Sequence, residues 1–245
     1  MLRCSALSLV TACAFGDLLQ AQGTLQLSAT GTVVYPYSPR WTFVGELNPV
    51  RVVDGSPTFR EVTLDVGAER TLKPGWDVLG YAFLIHTDQF DDLNTMEYRA
   101  RLGVQPFWRL RPRWFVQARG VYEGRLIHYE GGTTDFTQRA RVRLLSRITV
   151  RKSNEYQPGA IYIRADAEGF IPIGDKADER YFNKVAFRAG AGYRVTRRDQ
   201  VEATLLTRAS TTTFGLDQDN ADLIIELRYT HILRRHTPDK PHPSP

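Results

Sequence analysis

Across Phe136–Arg151 the chain alternates between two kinds of side chain. Thr137, Arg139, Arg141, Arg143, Leu145, Arg147 and Thr149 fall on odd positions, and Phe136, Ala140, Val142, Leu144, Ile148 and Val150 on even ones. Successive side chains of a β-strand point to opposite faces, so this spacing predicts a strand with a ladder of guanidinium groups on one face and an apolar second face. On a helix the same arginines would scatter around the cylinder. The segment exceeds the ~5–6 residues usual in a soluble sheet and is long enough to cross a bilayer at a tilt.

The same period recurs along the chain. It predicts further strands over Arg40–Pro49, Phe59–Leu72, Trp76–Ile85, Thr95–Trp108, Arg113–His128, Ala160–Pro172, Phe182–Val195, Gln200–Ala209 and Asp222–Leu233. Only Trp76–Ile85 is apolar at both parities, which leaves its inward face open. The expected fold is all-β: a single antiparallel up-and-down transmembrane β-barrel of about ten strands over residues 40–233. Residues 22–39 read as a polar lead outside the barrel, and residues 234–245 as a disordered proline-rich tail.

The connections carry a second pattern. Those at 73–75, 110–112 and 196–198 are short, whereas those near 50–58, 86–94, 129–135, 173–181 and 210–221 are longer. Outer-membrane barrels have short periplasmic turns and longer external loops, and an even strand count would put both termini on the short-turn side. Lys152–Gly159 breaks the alternation by being long where a short turn is expected. Trp76, Trp108 and Trp114 sit beside the short turns, as membrane-interface aromatics would.

A mean hydropathy of −0.34 suggests a water-soluble chain. In a barrel, however, lumen-facing and lipid-facing positions alternate and the average conceals the apolar half. No run of eighteen apolar residues follows the N-terminal segment, which argues against membrane-spanning helices. The formal charge of +5 does not point to nucleic acid, because the arginines are spread over many strands with carboxylates between them. Arg3, the small and apolar Cys4–Phe15 stretch and Leu19-Gln20-Ala21 read as a signal peptide over residues 1–21. Val10-Thr11-Ala12-Cys13 leaves lipidation at Cys13 as the alternative processing. Both cysteines lie in this segment, so cleavage after Ala21 leaves neither disulfide nor thiolate metal site.

On the inward parity stand Arg99, Arg101, Arg119, Arg139, Arg141, Arg143, Arg147, Arg164 and Arg188, with Glu69, Glu97, Glu123, Asp166 and Glu168 as acidic partners. A barrel of about ten strands is narrow, and the planar fork of arginine suits bidentate carboxylate contacts. These residues predict a lumen filled by ion pairs. The arginine excess also suggests contact with an anionic small solute, since charged rings select ions where a pore is open.

Two other classes stay open. A lipid hydrolase would need an oriented Ser–His pair, but no spacing motif links His86, His128 and Ser146. A soluble lipocalin-like periplasmic barrel would reverse the faces and line a cavity with apolar side chains. The five histidines lack metal-ligand spacing, so no metal, cofactor or catalytic residue is expected.

Ala160–Asp175, reading AIYIRADAEGFIPIGD, and Phe182–Leu206, reading FNKVAFRAGAGYRVTRRDQVEATLL, resemble an uncharacterised outer-membrane barrel family, domain of unknown function 2490. Glu168, Phe170, Arg188, Gly190, Gly192 and Tyr193 stand at the positions of its pattern, and Glu69-Arg70, Glu97-Tyr98-Arg99 and Arg139-Ala140-Arg141 are similar too. The resemblance covers roughly residues 40 to 233. It implies a porin-like barrel in the outer membrane of a Gram-negative bacterium, with the lipid bilayer, lipopolysaccharide and the barrel-assembly machinery as partners. It implies no established activity.

Overall fold

A computed structural model of the chain describes residues 24–53, 60–88, 94–173, 181–212 and 219–234. Eleven strands follow one another: β1 (Leu25–Tyr35), β2 (Trp41–Val52), β3 (Arg60–Lys73), β4 (Trp76–Asp88), β5 (Thr95–Arg111), β6 (Trp114–Tyr129), β7 (Thr134–Arg151), β8 (Ile161–Ile173), β9 (Tyr181–Arg194), β10 (Asp199–Thr212) and β11 (Asp219–Ile232). Each pairs antiparallel with its neighbour in sequence, and β1 pairs with β11 to close the barrel. Among the described residues there is no helix.

The eleventh strand is β1, which comes out of the segment read above as a lead. Its alternation is of low contrast. Gln26, Ser28, Thr30 and Thr32 are buried on one face, while Leu27, Ala29, Gly31 and Val33 are exposed on the other. Small polar residues on the inner face and glycine on the outer one hide the period from a hydropathy reading. The barrel therefore begins at Leu25 rather than Arg40.

An odd count has a topological consequence. If all sequential neighbours are antiparallel, the pair that closes an odd ring must be parallel. Leu25 accordingly faces Leu223, and Val34 faces Ile232, in a parallel β1–β11 seam. The two ends of the strand array thus leave at opposite rims, correcting the expectation of a shared short-turn side. Thr24 stands at the rim of the longer connections, where its amide donates to Asp222, and Leu233 at the short-turn rim, where its amide donates to the Val34 carbonyl.

The connection 130–133, read as long, is four residues and no longer than 195–198, whereas the two tightest turns fall where expected. Strands β3–β4 and β5–β6 are joined by two residues each, 74–75 and 112–113. Gly75 turns the first of these at φ 83, a left-handed conformation that its missing Cβ permits. The expected signal peptide lies outside the described residues, as does all of the expected tail beyond residue 234.

Parity along the strands settles the faces. On β4, left open above, Leu79, Ile85 and Thr87 are buried and Trp76 and Leu84 are exposed. The outer wall carries large apolar side chains around the ring, such as Leu47 on β2, Val66 on β3, Leu102 on β5, Leu144 on β7, Ile163 on β8 and Leu227 on β11. Trp76, Trp108 and Trp114 are exposed beside the short turns, and Trp41 at the start of β2 joins them at the same rim. Arg70 lies over the Trp41 ring at 5.4 Å and Lys73 over Trp76 at 5.1 Å, holding cations beside these aromatics.

Candidate functional site: the charged inner wall

The inner face is built by strand parity, and its acids collect arginines from several strands. Glu123 on β6 has 0% exposure. Its oxygens lie 2.5 Å from Arg139 Nε, 2.7 Å from Arg101 Nη2 and 3.0 Å from Arg141 Nη1, with Arg99 Nε at 3.7 Å. Ladder register explains the cluster: Glu123 stands opposite Arg101 on β5 and Arg139 on β7. Glu97 accepts from Arg99 Nε at 2.7 Å and from Arg125 Nε and Nη2 at 2.8 and 3.0 Å.

A second cluster centres on Asp166 of β8, which lies 3.1 Å from Arg143, 2.7 Å from Arg164 and 2.9 Å from Arg188. Arg141 carries the first cluster across to β8, since its Nη2 lies 2.8 Å from Glu168. Arg188 continues to Glu226 of β11 with Nε at 2.5 Å and Nη2 at 3.1 Å. The polar wall thus links β5 to β11 by charge-assisted bonds, the strong class for guanidinium and carboxylate.

Aromatic rings back these arginines. Arg101 lies over Phe83 at 4.3 Å, and Arg139 and Arg141 lie over Phe170 at 5.0 and 4.8 Å. Tyr162, with 0% exposure, donates to Glu202 and accepts from Gln200. Gly192 on β9 makes room for that tyrosine, because a Cβ there would fall inside the ring. One buried apolar cluster, Phe170, Ala186, Leu206 and Ile224, lies toward the other rim.

Two of the residues named from sequence have other partners. Glu69 accepts from Tyr81 at 2.6 Å and is paired with no arginine among the described residues. Arg119 donates to the amide oxygen of Gln105 at 2.6 Å and likewise meets no carboxylate there. The sequence reading passed over the rings and Glu155. Parity does place Tyr162 and Phe170 inward, while on Trp76–Ile85 it leaves Phe83 open, and nothing in the sequence pairs the three rings with particular arginines. Glu155 lies in the connection 152–160, and no strand period reaches it.

That connection is the long one at the short-turn rim. It carries Glu155 to 5% exposure, with its carboxylate 3.4 Å from Arg147 Nη1. Arg194 Nε donates to the Glu155 carbonyl at 3.2 Å.

The residues weighed for hydrolysis are dispersed. His128 Nδ1 lies 2.8 Å from Thr134 Oγ1 at the long-loop rim, and His86 is an outward residue of β4 near that rim. Ser146, toward the other rim, accepts from Trp114 Nε1 at 3.0 Å. His231 and Asp199 do pair at 2.7 Å, joined by the Tyr229 hydroxyl, on the outer surface. Among the described residues no group of three or more His, Cys, Asp or Glu side chains could hold a metal ion.

Closed sheet, consecutive antiparallel strands and an arginine–carboxylate inner wall define a β-barrel with inverted polarity. The chain belongs to the family described as "Protein of unknown function (DUF2490)", whose match spans residues 27–218. The match begins within β1, so that strand is part of the family's domain. No curated protein matches the chain.

Proposed function

We propose that this protein is an outer-membrane β-barrel of a Gram-negative bacterium, non-enzymatic, with an arginine-rich lumen largely filled by its own side chains. The observation that carries this reading is the polarity of the wall. Large apolar side chains face outward around the ring, while Glu123, Asp166, Arg164 and Glu202 are buried within. In water, contiguous apolar surface beyond a few hundred Å² is rare on monomers, roughly 25 cal/mol being lost for each Å² left wet. In lipid the same surface is matched to its solvent, and a closed barrel leaves no backbone edge unpaired.

Strand length agrees. A tilted crossing needs about 9–11 residues. Strand β1, at 11 residues, meets that need, and β7 at 18 residues exceeds it. The four tryptophans at one rim supply the expected interface band. A lipocalin-like cup would need the reverse polarity, and nothing at the wall favours it.

Heat-modifiability tests the reading. Chain expressed with its signal should fractionate with outer membranes and run faster on a detergent gel before boiling than after. A soluble periplasmic protein with no mobility shift would overturn it. The narrower reading, handling of a small anion, is favoured by buried guanidinium nitrogens of the inner wall, on Arg147, Arg164 and Arg194, that have no hydrogen-bond partner. Single-channel recording separates a filled lumen, with no steady conductance, from an anion-selective pore.

A further inference from the structure

Arg194 is the unusual cation of the inner wall. It is 4% exposed, yet it forms no ion pair among the described residues. Its polar contact is Nε to the carbonyl of Glu155, its guanidinium lies 5.9 Å from the Tyr156 ring, and its buried Nη1 has no hydrogen-bond partner in the protein. Arg147 and Arg164 stand opposite each other on β7 and β8, and the Nε of each is likewise buried and unpartnered. A buried guanidinium nitrogen without an acceptor is costly, so three on neighbouring side chains call for an explanation.

The carboxylates nearby differ in how firmly they are held. Glu202 is fixed in the wall by Tyr162, by Gln200 at 3.0 Å and by Arg164 at 2.8 Å. Asp166 is shared among Arg143, Arg164 and Arg188. Glu155 is different: its carboxylate meets the wall only through Arg147, at 3.4 Å, and otherwise bonds the hydroxyl of Tyr156 on its own loop. It rides on a connection bounded by two left-handed residues, Lys152 at φ 80 and Gly159 at φ 78. Leaving out the shared Asp166, three cations face two carboxylates, and one of those two is tethered to a loop.

The geometry points to an oxyanion-binding site at the short-turn mouth of the barrel, formed by Arg147, Arg164 and Arg194, in which Glu155 stands in for the ligand. A small phosphate- or carboxylate-bearing solute enters by displacing the Glu155 side chain, which leaves with its loop. Planar guanidinium forks suit such ligands. The site rests on the barrel reading above, and it locates the anion contact near Arg147, at the end of the arginine ladder rather than along its length.

The test titrates refolded protein in detergent with inorganic phosphate by calorimetry. Wild type should bind weakly, and Glu155→Gln about tenfold more tightly, because removing a competing internal anion raises the fraction of open site. Arg194→Gln should abolish binding in either background. Since Arg194 has no carboxylate partner among the described residues, that substitution strands no buried acid, and wild type against Arg194→Gln decides the matter even where Glu155→Gln does not fold. Phosphate binding that survives Arg194→Gln, no gain in a folded Glu155→Gln, or no binding to either protein overturns the site. The mobility shift on boiling is read on the same samples. Protein that keeps the shift and ignores phosphate refutes the oxyanion site alone, whereas loss of the shift in wild type refutes the barrel reading.

Discussion

Arg139 Nε lies 2.5 Å from Glu123 Oε1, and that carboxylate is the shared counter-charge for arginines from β5 and β7 as well as the most deeply buried acid of the wall. Removing one arginine leaves Glu123 with others. Removing the carboxylate leaves Arg101 and Arg139 facing each other across it with no other acid partner among the described residues, and Arg141 with Glu168 alone. Glu123→Gln should therefore destabilise the barrel by about 3–5 kcal/mol, the usual cost of breaking a buried ion pair from one side. Arg101→Gln should cost clearly less. Urea titration of the detergent-refolded protein, followed by loss of the fast gel band, measures both.

Adjacent residues of β7 offer a test of the two faces. Leu144 is an exposed outward residue, whereas Arg143 faces Asp166 on the inside. In vesicles Leu144→Arg should cost about 2–4 kcal/mol if the side chain lies near the bilayer midplane. A water-exposed outer face predicts the opposite, a neutral or solubilising change. Urea titration of vesicle-inserted protein separates these outcomes by sign.

Strand existence and parity were legible because a long, one-residue alternation of arginine and aliphatic residues has few other readings. The facing of Glu97, Glu123, Asp166 and Glu168 followed from that parity. The partners of Glu69 and Arg119 did not, because partnership depends on which neighbouring side chain reaches first. Tyr81 takes Glu69, and Gln105 takes Arg119. Glu155 was illegible for a different reason: a connection has no period, and the inward turn of residues 152–160 is set by backbone contacts such as Gly159 N to the Arg194 carbonyl at 2.7 Å.

The Gly192–Tyr162 pair predicts a coupling. A methyl group at Gly192 would drive the ring away from Glu202 and Gln200, two partners it meets in the wall. Gly192→Ala should cost about 1–3 kcal/mol, the range for overpacking. In a Tyr162→Ala background the same methyl group meets open space, so the penalty should largely vanish. A double-mutant cycle on unfolding free energies measures that difference, and purely additive effects would show that the ring is not held against the glycine.

The β1 seam gives the sharpest test of the eleven-strand closure. Sequence alone placed residues 22–39 outside the barrel as a polar lead, and the inner face they form, Gln26, Ser28, Thr30 and Thr32, carries no charge. The strand nevertheless pairs with β2 on one side and β11 on the other, so its backbone amides serve two neighbours. Consecutive amides of a strand point to alternate sides, and proline removes the donor. Thr32→Pro together with Val33→Pro, two consecutive residues that stand in both ladders, should therefore withdraw one hydrogen bond from each seam and reopen the barrel. The expected result is loss of the fast unboiled band and sensitivity to protease in membranes. If the doubly substituted chain keeps its band, β1 is not needed for closure, and β2 and β11 must meet without it.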